Sequence, residues 1–139
     1  MNLAHWLERA ARLHPDRPAL LAGDQVIARY ADWADSAARL AGHLRQRLGL
    51  LPGDRLAICL PNAPAYLQAL YGAWWAGLAV VPINAKLHAN EVAWILADAE
   101  VAALLAPEDL LRTLAADEGF PPTLRWACTP GSAGWHEAL

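Results

Sequence analysis

Two periods alternate along this chain. One places apolar residues every three or four positions, as in a helix buried on one side. The other gives short runs with almost no polar interruption, as in buried strands. Leu3, Leu7 and Ala10 share one helical face and predict a helix over residues 2–13, closed by Pro15. The segment PALLAGDQVIARY holds two short apolar stretches about Gly23-Asp24, which predicts a β-hairpin turning at Ala22–Gln25. Trp33, Ala37, Leu40, Ala41, Leu44 and Leu48 then recur at helical spacing. A helix is expected from about Tyr30 to Leu48, with Arg29 or Asp32 capping its start and Gly49 as a left-handed stop. Pro52-Gly53 fits the centre of a type II turn, where Pro fixes one φ and Gly accepts a positive one.

From Arg55 onward the two periods interleave. Arg55–Leu60, Leu78–Ile83, Val101–Ala106 and Leu124–Cys128 are nearly continuous apolar runs and read as buried strands. Between the first two, Leu67, Leu70, Tyr71, Trp74 and Trp75 form a helical stripe that stops at Gly77. Asn62 is the expected cap of that helix, with Pro64 in its first turn. Residues 88–99 present Val92, Ile95, Leu96 and Ala99 on one side, with His88 at the cap and Glu91 in capping-box position. Residues 108–117 present Leu110, Leu111 and Leu114, and Trp135–Leu139 begins one more element. Helices alternating with apolar strands predict an α/β fold: a three-layer, mostly parallel sheet with helices on both faces, preceded by the hairpin. No internal repeat, low-complexity tract or linker interrupts it, so residues 1–139 read as a single α/β subdomain with right-handed crossovers.

Composition narrows the class. The chain has 139 residues, is 56% hydrophobic and carries a net charge of -3. That content excludes a disordered chain and speaks against a nucleic-acid partner, which usually demands a basic surplus. Cys59 and Cys128 sit in apolar runs with no C-x-x-C spacing, so two buried free thiols are expected. Glu8, Arg9 and Arg12 interrupt the N-terminal stretch, so no secretory signal is read and a reducing, cytoplasmic setting is expected. Leu56–Ala85 contains no charge, but Pro61, Pro64 and Pro82 cut it, and strand–helix–strand explains it better than a membrane span.

Most familiar chemistry is absent. Glycines do not follow the first long strand, which rejects a dinucleotide-binding fingerprint. Asp54 precedes its strand, so it is not a phospho-acceptor and instead fixes the Pro-Gly turn. The PGSAG segment at Pro130–Gly134 has no Lys after it and reads as a connecting loop, not a phosphate loop. His5, His14, His43, His88 and His136 are scattered and suggest no metal site, and no catalytic set emerges from spacing. His43 is expected to be solvated or capping. The adjacent Trp74 and Trp75 point to different helix faces, so at least one is expected at solvent or at a partner surface.

The order of the pieces is more specific than any one of them. The features are Pro15-Asp16-Arg17-Pro18-Ala19-Leu20, a Tyr-initiated helix, Leu-Gly-(x)₂-Pro-Gly-Asp-Arg-Leu, Leu60-Pro61-Asn62, a helix ending Trp75-Ala76-Gly77, Val81-Pro82-Ile83-Asn84, a Glu91-Val92 helix and Leu96-Ala97-Asp98-Ala99. Over about residues 3–112 this resembles the start of the adenylate-forming (AMP-binding) enzymes: acyl-CoA synthetases, adenylation domains and luciferases. Val-Pro-Ile-Asn is most like the fatty- or aryl-acid CoA ligases. The resemblance implies an ATP-dependent carboxylic acid–CoA ligase that uses ATP, Mg²⁺ and CoA to form first an acyl-adenylate, then an acyl-CoA. It also implies a glycine-rich Ser/Thr phosphate loop with a Lys, an acidic residue for the ribose and a C-terminal Lys, none of which occurs in these residues. The chain is therefore expected to be the first subdomain of a larger ligase, to need the remainder of that ligase as its partner, and to be inactive alone. Catalytic and metal-binding residues are expected to be none. Where some members place an Arg against the CoA nucleotide phosphate, this chain has Asn84-Ala85-Lys86-Leu87, which makes Lys86 the candidate contact; its plainer reading is a solvated lysine. A stand-alone truncated homologue acting as an interaction module is the alternative, and a flavodoxin-like binder is a third. Apolar surface left bare in such a subdomain predicts self-association.

Overall fold

The structure is a computed structural model that describes residues 2–139. Helix α1 (Ala4–Leu13) leads into the antiparallel hairpin β1 (Pro18–Ala22) and β2 (Gln25–Arg29), followed directly by α2 (Tyr30–Gly42). Helix α2 widens into a π turn over His43–Arg47. The alternating part follows as β3 (Arg55–Ile58), α3 (Pro64–Trp75), β4 (Ala79–Pro82), α4 (Ala89–Asp98), β5 (Ala103–Leu105), α5 (Glu108–Thr113) with a π turn over Leu114–Glu118, β6 (Trp126–Cys128) and α6 (Ala133–Ala138).

The long sheet is four-stranded, parallel and ordered β4-β3-β5-β6. Its two-residue period sorts side chains between two cores. Leu56, Ile58, Ala103 and Leu105 point toward α2, α3 and α6, while Ala57, Cys59 and Leu104 point toward α4 and α5. The layering follows from chain direction. The step from β3 to β4 runs one way across the sheet and the steps to β5 and β6 run the other. With crossovers of a single hand, that reversal moves the connecting helix to the opposite face. The α/β sandwich and the hairpin expected from the periodicity are both present.

Local signals explain the boundaries. Arg29 holds the cap position of α2 in an extended conformation, and Asp32 at the third helical position accepts its backbone N–H at 3.1 Å, so the two residues share the start. In the Pro-Gly turn Gly53 has φ 92°, the Asp54 N–H donates to the Leu51 carbonyl, and the Asp54 carboxylate accepts the Leu51 N–H at 2.9 Å. Helix α3 ends in a Schellman motif on Gly77, with Leu78 N–H on the Ala73 carbonyl and Gly77 N–H on the Trp74 carbonyl. Helix α4 ends the same way with Val101 N–H on Leu96 and Glu100 N–H on Ala97, but Glu100 holds the left-handed position at φ 45°. The Arg55 guanidinium bonds both the Ala99 carbonyl and the Glu100 carboxylate, which ties that irregular end to the sheet.

Two expectations require correction. Asn62 does not cap α3. Ala63 takes the cap position in an extended conformation with no side-chain bond, because Pro64 follows it and forces its predecessor out of the helical region. The large side chains of α3 are not its buried stripe either. Ala69, Gly72 and Ala73 are buried, while Leu67 is exposed and Leu70, Tyr71, Trp74 and Trp75 are half-buried. The reason is a close approach of α2: a Cβ on Gly72 would stand 2.7 Å from Leu40 Cδ2. Of the adjacent tryptophans, both half-buried, Trp74 lines an open surface hollow with Asn2 and Leu3, as the expectation of one at solvent allows. Trp74 stacks edge-on with Tyr71 at 5.1 Å, and Trp75 packs between two core clusters. Among the described residues, no helix is long and apolar enough to cross a membrane.

Candidate functional site at the carboxyl ends of the parallel strands

A proline follows or ends each of the four parallel strands: Pro61 after β3, Pro82 at the end of β4, Pro107 after β5 and Pro130 after β6. Proline has no N–H to donate to a ladder, so the strands stop pairing there and the chain opens. The doubly wound order places the switch point between β3 and β5, where the outgoing helices lie on opposite faces. A cleft of about 740 Å³ occupies this end of the sheet. Leu60 and Asn62 line it from β3, Ile83 through Lys86 from β4, Tyr66 from α3 and Pro107 from β5.

The loop after β4 is held by its own polar groups. Asn84 accepts the Lys86 backbone N–H on Oδ1 at 3.0 Å, and its carbonyl accepts the Leu87 N–H. His88 then starts α4 as expected, with its N–H on the Glu91 carboxylate at 2.9 Å. Lys86 is thus carried on a closed Asx-type turn, exposed, and is the only charged residue on the cleft lining. No carboxylate shares that lining, and no group of three His, Cys, Asp or Glu could hold a metal among the described residues. A second, apolar groove of about 620 Å³ runs from Asn62 and Tyr66 past Leu67 to β1.

Spacing alone did not bring Asn62, Tyr66 and Pro107 together with Lys86. The available signal was positional: each lies just past a strand's carboxyl end or on the first turn of the next helix. The thiols are placed as expected. Cys59 and Cys128 are free and buried, and burial pushes both thiols up from their ordinary range. His43 is not solvated or capping. Its half-buried ring packs 5.5 Å from Trp126, and burial, then the Arg47 charge, draw its pKa down against the Glu137 carboxylate.

The unit is of the open parallel α/β class, in which ligands commonly sit across the carboxyl ends of the strands. Within that class, the chain belongs to the AMP-binding enzyme family, whose model matches residues 7–129. It is 38% identical over 115 residues to a feruloyl-CoA synthase of an Amycolatopsis species, covering 83% of this chain and 23% of that protein. The solved fatty acyl CoA synthetase of Mycobacterium tuberculosis superposes with a TM-score of 0.86 at 27% identity, over 99% of this chain and 28% of that one. The N-terminal domain of FACL13 from the same organism gives a TM-score of 0.87 at 26% identity, over 99% of this chain and 36% of that domain. The chain corresponds to an N-terminal part of an acyl-CoA ligase and spans about a quarter of the curated relative's length.

Proposed function

We propose that residues 1–139 are the N-terminal scaffold of an ATP-dependent carboxylic acid–CoA ligase, and that this stretch alone makes no acyl-adenylate. The carrying observation is the cleft itself. It offers one cation, Lys86, and neither the carboxylates nor the glycine-rich loop that a Mg²⁺–nucleotide needs. These residues therefore do not fit ATP and Mg²⁺. They do fit one phosphate contact of a thiol cofactor at Lys86. The test of inactivity is pyrophosphate release by the 139-residue polypeptide with ATP, Mg²⁺ and either ferulate or a fatty acid, the acids in its relatives' names. No acid-dependent release is expected, and measurable release overturns the claim.

Lys86 is tested separately in a chain that carries the rest of the family domain. Replacing Lys86 by Ala should raise the CoA KM about tenfold at unchanged kcat, the scale of a lost charged hydrogen bond. Lys86→Arg should restore it, and an unchanged KM removes Lys86 from the site. Bare apolar surface supports self-association of the isolated stretch, since Trp6 and Trp94 are 62% and 68% exposed. Sedimentation should show species heavier than monomer at high concentration; a strictly monomeric boundary overturns this. The two buried free thiols support a reducing, cytoplasmic compartment.

A further inference from the structure

The seam between α2 and α6 lies far in sequence from the cleft loops and is used by nothing described so far. Helix α6 has six residues and is held by Trp135 and Ala138, which enter the same core as Leu40, Ala41 and Leu44 of α2 and its π turn. His43 opens that π turn: its own N–H reaches back to Arg39 and Leu40, and its carbonyl accepts the Leu48 N–H. Its ring lies against Trp126 of the edge strand β6. His43 Nε2 is buried and has no hydrogen-bond partner among the described residues.

That nitrogen defines the chemistry. A neutral imidazole tolerates one unpaired ring nitrogen in a half-buried place. An imidazolium carries a proton on both nitrogens, so Nε2 would become a buried donor without an acceptor. Of the surrounding charges, the Glu137 carboxylate favours the charged ring more than Arg47 opposes it, and burial outweighs both. Arg39 and Arg47 stand on His43's own helix, Glu137 faces it from α6, and β6 presents the uncharged Trp126. Arg39 is paired with Asp35, and Arg47 opposes a second positive charge.

We propose that His43 is a proton-operated latch. Its neutral ring keeps α6 seated on α2, and its protonation releases α6 together with the Trp126 edge of the sheet. The sign follows from the ring's depressed affinity for a proton. The released and unfolded states bind the proton near the ordinary value of 6.5, and the seated state binds it only at lower pH. Seating is complete above about 6.5 and is lost as pH falls toward the depressed value. This latch does not depend on the ligase reading.

The test is an NMR titration of the 139-residue chain from about pH 7.5 to 5, the range in which His changes charge. The His43 Cε1 proton should titrate with a midpoint below 6.5, and the Trp126 and Trp135 indole N–H signals should follow that same midpoint. Amide protection in residues 133–139, corrected for intrinsic exchange, should fall by up to about tenfold per pH unit between 6.5 and that midpoint, then level off below it. Indole signals that ignore His43, or a midpoint at or above 6.5, overturn the latch. In His43→Leu the indole signals should stay flat with pH. Glu137→Gln, a surface change that leaves the fold intact, removes the carboxylate favouring the charged ring. Both midpoints should then move together to lower pH, and an unmoved or raised midpoint overturns the proposal.

Discussion

The hairpin and the parallel sheet are written in similar letters and end in opposite surroundings. Strand β5, Ala103–Leu105, is buried at every position. Strand β2 carries Val26 and Ile27, better strand formers than anything in β5, yet both are exposed, as is Leu21 across from Val26. The difference is coverage. β5 has a strand on each side and a helix layer on each face. The hairpin has two strands and one packed side, formed by Leu20 and Ala28 against Leu7, Trp33 and Ala37. Apolar content therefore does not measure burial, and the same substitution should have very different effects in the two regions.

The sharpest test of that contrast is truncation. Leu104→Ala, at a fully buried position, should cost about 2–5 kcal/mol in urea unfolding, because a cavity adds to the lost transfer energy. Leu21→Ala in the hairpin should cost within about 0.5 kcal/mol, as exposed sites do. Equal losses would break the comparison. Next comes the close approach behind the sheet. Gly72→Ala should cost about 1–3 kcal/mol, since the new methyl meets Leu40, and a neutral result would mean α2 and α3 stand further apart than described. A smaller effect of opposite sign is expected at the end of α4. Glu100→Gly should raise stability by about 0.5 kcal/mol, because glycine accepts φ 45° without the left-handed penalty; the exposed pairing with Arg55 lost in exchange is worth little. Thermal melts with and without the substitution decide it. Last, disulfide-exchange reagents should label Cys59 and Cys128 only after denaturant opens the core, and rapid labelling of the native chain would show the sheet faces to be less covered than β5 suggests.

The candidate site repeats the lesson at smaller scale. Lys86 was legible because it is the only lysine and lies in the loop after an apolar strand. Its cleft was not, because Asn62, Tyr66 and Pro107 join it only once β3, β4 and β5 are set side by side out of sequence order. His43 was misread for the same reason. Helical spacing places it on α2, but its burial depends on Trp126, more than eighty positions away.

Taken alone, the sequence determined which segments are helix and which are strand, where Gly49, Gly53 and Gly77 turn the chain, and the resemblance that the family match bears out. Those are set by neighbours within a few positions, through backbone sterics and a two- or 3.6-residue period. Tertiary structure alone decided the strand order, which of the apolar strands would be covered, and why Gly72 rather than a tryptophan faces α2. Burial and close approach are properties of surfaces meeting across the fold, and no local period encodes what a side chain will meet there.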